Sequence, residues 1–208
     1  MKRNETTKGN NNCQVDQMSK TRITADRLKA IHGEQQEERS CVGTGFSAID
    51  EVMAILREIR REGDFTTFAG SYVYSEDHLV ARNALWVLTK ASDKELAALQ
   101  VMLHELIDLA MSTDSSSVCR LSLTVIDRLK MEEDDLRTDF LDFCMEHMAR
   151  VDEYPGIQSV CMKLAFKMCR FYPELMDELK RILEAMETDY YKPAVKSVRN
   201  RILSGRMK

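Results

Sequence analysis

The sequence predicts an all-α chain, folded as a right-handed α-α superhelix of about four stacked helix pairs sharing one continuous core. Three observations carry that expectation. Only three prolines and eight glycines occur in 208 residues, too little punctuation for an all-β protein, which needs turn residues about every ten positions. Hydrophobic residues make up 44% of the chain and charged residues 31%, the balance of an ordinary globular domain with a real core. The apolar positions recur at helical spacing, and the whole pattern repeats every 38 residues. A fixed period of roughly 20 to 50 residues marks stacked supersecondary units.

The register is read from its columns. Ala81, Cys119, Ile157 and Val195 stand 38 apart and are all small or aliphatic, and seven residues further on come Leu88, Ile126, Leu164 and Ile202. Seven residues are two helical turns, so both columns face one side. Pro155 and Pro193 share a column at helix starts, where a missing backbone N–H costs nothing. Glu76, Asp114 and Asp152 form an acidic column just before the same helices, suited to capping free amides. A second set of helices carries its own columns: Leu103, Leu141, Leu179; Leu106, Cys144, Ile182; Ile107, Met145, Leu183; Ala110, Met148, Met186. Their spacing of three, four and seven is that of a buried stripe.

Each unit is therefore a first helix and a second helix. First helices are expected near Phe46 to Glu62, Asp93 to Ser112, Glu132 to Arg150 and Pro173 to Glu187. Second helices are expected near Asp77 to Ala91, Ser115 to Lys130, Pro155 to Phe171 and Pro193 to Ser204. The connector 63–75 between the first two is longer than the others and carries Phe65, Phe68, Tyr72 and Tyr74. Its rings serve either as a docking strip or as a cover for the open end of the first pair, which terminal solenoid units need.

The second helices, as in Val80-Ala81-Arg82-Asn83-Ala84-Leu85-Trp86-Val87-Leu88, resemble those of HEAT repeats, an armadillo-type family of helical repeats. The likeness spans roughly Phe46 to Arg206, and the regular register carries it more than any single motif. In that family an acid in the turn and a base on the second helix often form a ladder between units. The resemblance implies such a role for Glu76, Asp114 and Asp152 with Arg82 and Arg120; Gln158 breaks the basic column.

Three segments follow. Residues 1–22 are polar, asparagine-rich and basic, unable to bury enough surface to order themselves, and read as a tail. Residues 23–45 form a weakly ordered lead-in, with a mostly polar helix expected over Thr24 to Arg39. Residues 46–206 are the repeat domain. The polar start has no hydrophobic signal region and the chain shows no membrane span, so the cytoplasm is the expected compartment. There the six cysteines (Cys13, Cys41, Cys119, Cys144, Cys161, Cys169) read as free thiols. No CxxC pair offers zinc its close ligands.

Charge separates the two helix sets. Counting Lys and Arg against Asp and Glu, the second helices carry +1, +2, +3 and +3, and the first helices −1, −3, −5 and −3. The resemblance implies that second helices line a concave surface, hence a basic groove with an acidic back, on a chain whose formal net charge is −4. Such a groove concentrates anionic partners. The same charges can instead pair within the units or simply face solvent. The candidate binding residues are Arg82, Trp86, Lys90, Arg120, Arg128, Lys163, Lys196 and Arg199, with Trp86 either packing between units or offering a stacking surface.

Catalytic chemistry finds no footing. His32, His78, His104 and His147 lack HExxH spacing. Asp139, Asp142 and Glu146 share a stripe but no glycine-bearing calcium loop accompanies them, and Val42-Gly43-Thr44-Gly45 is too short and lacks a phosphate-loop lysine. The expectation is a non-catalytic module without cofactor or metal, binding a protein or an acidic peptide on its concave face. Nucleic acid is the competing partner, by resemblance to HEAT-like DNA alkylation-repair glycosylases. Those use concave tryptophans and a catalytic aspartate; here there is one Trp and no aspartate that matches.

Overall fold

The computed structural model describes residues 23–31 and 47–207. The expected tail, the rest of the lead-in with His32, Cys41 and the Val42–Gly45 turn, and Cys13 lie outside them. Every regular element among the described residues is a helix: α1 (Ala25–Lys29), α2 (Ala48–Glu62), α3 (Phe65–Tyr72), α4 (His78–Thr89), α5 (Asp93–Leu96), α6 (Leu103–Ser112), α7 (Ser116–Ile126), α8 (Thr138–Ala149), α9 (Pro155–Cys169), α10 (Pro173–Ala185) and α11 (Pro193–Leu203), with short 3₁₀ segments between some of them. First helices α2, α5–α6, α8 and α10 alternate with second helices α4, α7, α9 and α11, giving the helical repeat solenoid that the 38-residue period predicts.

The core is continuous along the array. Every member of the columns Ala81–Cys119–Ile157–Val195 and Leu88–Ile126–Leu164–Ile202 is buried, as are Leu103, Leu141 and Leu179 of the first helices. Pro155 and Pro193 occupy the first turns of α9 and α11 as expected, and Pro173 does the same in α10. The second helices α4, α7, α9 and α11 pack closely in succession, whereas α6, α8 and α10 touch one another sparingly. Small buried residues on the second helices, Ala81, Ala84, Cys119, Ser122, Cys161 and Ala165, let their backbones approach.

Four local features depart from the sequence pattern. The acidic column does not cap the second helices: the N-caps are one residue later, Asp77 accepting from Leu79 N at 2.9 Å and Ser115 from Val118 N at 3.4 Å. Asp152 instead pairs with Arg150 at 3.0 Å. In the second unit the first helix is interrupted by a 3₁₀ turn over Ala97–Met102. No proline or glycine forces it. Gln100 exchanges hydrogen bonds with the Lys130 backbone, and Thr66 donates to Ala98 O, so tertiary contacts set the break.

In the third unit the consecutive acids Glu132 to Asp135 do not enter the helix; they form a 3₁₀ turn closed by reciprocal caps of Glu132 and Asp135. Helix α8 starts only at Thr138, after like charges that oppose helical stacking. The connector after α2 is itself a helix, α3, capped by Asp64, which accepts from Thr67 N at 2.7 Å. Phe65 and Phe68 are buried, and α3 packs on α2, α4 and the 3₁₀ turn. Its phenylalanine rings pack against the first pair and the second unit rather than forming an exposed strip.

Ahead of the repeats, α1 docks on α4. Leu28 and Ile31 are buried in the core. Asn83, fully buried in the middle of α4, donates to Leu28 O at 2.7 Å and Ile31 O at 3.1 Å, pairing the carbonyls that a helix end leaves open. Tyr72 OH donates to Ile23 O at 2.8 Å. Arg27 pairs with Glu51 and Glu58 of α2 at 2.5 and 2.7 Å, and Lys29 with Asp77 at 2.9 Å.

Candidate functional site

The solvent side of the second-helix layer is assembled from one stripe per helix. On α4 the stripe runs Leu79, Arg82 and Trp86, none of them fully buried, continued by Lys90 beyond its end; on α7 it runs Ser117, Arg120 and Thr124, continued by Arg128. These match at a step of 38. On α9 the stripe runs Gly156, Ser159, Lys163 and Lys167, one residue later than the period demands. Gln158 explains the turn: it faces inward, buried, with Nε2 donating to Arg150 O at 2.5 Å. No acid lies within α4, α7, α9 or α11.

The ladder the resemblance implies does not form: among the described residues, neither Arg82 nor Arg120 has a carboxylate partner. Arg82 donates from Nε to Asn83 Oδ1 at 3.1 Å and reaches Ile31 O at 3.5 Å. The aliphatic stem of Arg120 lies along α9 over Gly156, where a Cβ would stand 2.8 Å from Arg120 Cδ. Lys90 is exposed beyond the end of α4. Trp86 is half-buried against the core with one edge on the same stripe.

Arg128, Lys163 and Arg199 are engaged inside the fold. Arg128 donates to Thr89 O, Ala91 O and Asp93 Oδ1 at 3.0, 2.6 and 2.7 Å, tying α7 to the turn after α4. Asp127, half-buried just past α7, holds Lys167 at 2.9 Å and Lys163 at 3.5 Å, and Lys167 also donates to its carbonyl. Arg199 donates to Leu183 O at 2.6 Å and Glu184 O at 3.5 Å, cations suiting a helix C-terminus. Lys196 is half-buried on α11. Ion pairs also stitch first helices across units, Arg60–Glu95 at 2.5 Å and Arg137–Asp108 at 2.7 Å. Arg60 together with the Ser92 backbone holds the Glu95 carboxyl down to about 2.

The layout is therefore that of a scaffold with stretches of uncommitted positive charge. A family model described as a HEAT repeat domain matches residues 44–206. The chain belongs to the HEAT repeat family. No curated protein and no solved structure matches it at a significant level. HEAT repeats stack helix pairs around a shared core, as α2 to α11 do here.

Among the described residues of this HEAT chain, the cysteines and His147 serve packing. Cys119, Cys144, Cys161 and Cys169 are buried free thiols; burial pushes Cys119 and Cys169 up to about 12 and, with Cys161 beside it, holds Cys144 well above its ordinary value, disfavouring the thiolate that ligates or attacks. His147 packs on Phe143 and bonds Glu153 at 2.6 Å. Among the described residues no group of three His, Cys, Asp or Glu is placed to hold a metal ion, and no helix is long and apolar enough to cross a membrane. Sequence reasoning missed Asn83, Asp127 and Gly156. An amide amid the apolar run of α4 was the signal for Asn83; for Asp127 and Gly156 the tertiary register had to be known.

Proposed function

We propose that the protein is a non-catalytic interaction module of the cytoplasm, holding a protein or peptide partner on the inner face of its solenoid. The observation that carries this reading is the second-helix layer: four helices without an acid, bearing cations of which Arg82, Lys90 and Arg120 meet no carboxylate among the described residues. The closer spacing of these helices relative to the first helices supports placing them on the inside of the bend, where the layer is shorter. Buried free thiols suit a reducing compartment.

Nucleic acid would use the same cations, but the internal pairing of Arg128, Lys163 and Lys167 leaves too short a run of charge to track a phosphate backbone, and the single tryptophan is half-buried. The test is fluorescence anisotropy of labelled polyglutamate and of single-stranded DNA at rising salt. Polyglutamate is expected to bind at low salt and to be released as salt rises. Exchange of Arg82 and Arg120 together for Glu should abolish binding, while Lys180→Glu on α10 should not. If neither probe binds at low salt, the charged-face reading fails.

A further inference from the structure

Resting on that reading, we infer that the partner is an extended segment in which every second residue is by turns acidic and apolar, so that both kinds of side chain face the site, and that it docks on the N-terminal half of the face, on α4 and α7, rather than along its whole length. The stripe on α4 is itself a mosaic. Leu79, Arg82, Trp86 and Lys90 follow at steps of three and four, which places them within one narrow arc of the helix. Apolar and basic groups therefore alternate along it. Leu79 is 49% exposed, a large apolar side chain open to solvent. Trp86 adds the edge of its ring. Beside it, Arg120 supplies a cation held low by its stem over Gly156, while Ser117 and Thr124 add no bulk.

The C-terminal half lacks the apolar component. Lys163 and Lys167 are neutralised by Asp127; Arg201 is exposed on α11, but the other exposed stripe residues there, Gly156, Ala194 and Ser197, carry no apolar side chain larger than a methyl. Of the acids bordering the N-terminal half, Asp77 is occupied by Lys29 and the Leu79 amide and Asp93 by Arg128, while Glu76 and Asp114 are exposed before the first turns of α4 and α7. Charge complementarity thus favours carboxylates over Arg82, Lys90 and Arg120, and the interleaved apolar positions favour hydrophobic side chains between those carboxylates. Arg82 also touches Ile31 O, so the docking of α1 sets the position of one cation in this site.

The chain's single tryptophan lies in the proposed site, so its emission reports occupancy without a label. The probe is a short synthetic peptide with Glu and Leu alternating at every second position and serine between them, which puts both on one face of an extended chain. It should change Trp86 emission saturably, and Arg82→Glu and Arg120→Glu should each weaken it roughly tenfold, the factor that about 1.4 kcal/mol corresponds to. Arg201→Glu on α11 should leave affinity within about twofold. Thermal melts of Arg82→Glu beside Arg82→Gln separate lost binding from lost folding. An equal loss in Arg201→Glu would overturn the assignment to α4 and α7 while leaving the inner-face reading in place. Equal affinity for polyglutamate would overturn the apolar component, and single-stranded DNA outcompeting the peptide would overturn the peptide. Binding by none of the three overturns this inference and the parent reading together.

Discussion

Replacing Asn83 by Ala tests the joint between lead-in and repeats. The amide is fully buried and makes two bonds to the carbonyls of Leu28 and Ile31, at 2.7 and 3.1 Å, while its oxygen accepts from Arg82. Each bond is worth about 1 kcal/mol net when both partners lie in the protein. Arg82 lies 3.5 Å from Ile31 O, too far to replace either bond. The expected loss is therefore about 2 kcal/mol in urea denaturation. The loss should also be local. Amide exchange at Leu28, Ala30 and Ile31, whose N–H groups bond to Thr24, Asp26 and Leu28 carbonyls, should quicken well before the amides of α7 or α9, because α1 can leave without the repeats opening. A variant within about 0.5 kcal/mol of the parent, with α1 protection intact, would refute the account.

Three further outcomes are expected. Leu141→Ala, in the all-leucine column of buried first-helix residues, should cost about 2 to 5 kcal/mol by chemical denaturation through the cavity it leaves. Gly63→Ala should cost roughly 1 kcal/mol in the same assay, because Gly63 closes α2 at φ 73°, where a Cβ crowds the backbone. Acid should lower the thermal midpoint: Glu95's carboxyl is depressed from 4.5 to about 2 by Arg60, so its contribution is complete above 4.5 and is lost as pH falls through about 2. Glu95→Gln should make that decline shallower in melts scanned against pH.

The second helices could be read from the chain because their information is local. A proline at the first turn, small residues at fixed steps and an aliphatic residue two turns on are all properties of one helix meeting its copy. The first helices were less legible. Nothing in Ala97–Met102 announces a 3₁₀ turn; those residues favour an α-helix, and the turn exists because Gln100 is held by the Lys130 backbone, a partner 30 residues away. Helix α1 was obscure for the opposite reason. Its own apolar content is two buried residues, Leu28 and Ile31, and most of what holds it belongs to α2, α3 and α4.

The sign of the face was legible, but which of its cations are uncommitted was not, and the reason lies in the loops. Since the second helices contain no acid, every carboxylate that trims their positive field must come from outside them. Asp77, Asp93 and Asp127 do so, and each engages a base: Lys29, Arg128, and Lys163 with Lys167. Two of these acids take bases from α9 or the end of α7, while Asp77 takes one from α1, outside the repeats. Arg82 and Arg120 have no such partner among the described residues, although Glu76 and Asp114 precede their helices. The charge pattern of the face depends on where single loop acids fall relative to the next unit. A shift of one residue, as at Gln158, is enough to move a cation off the surface column.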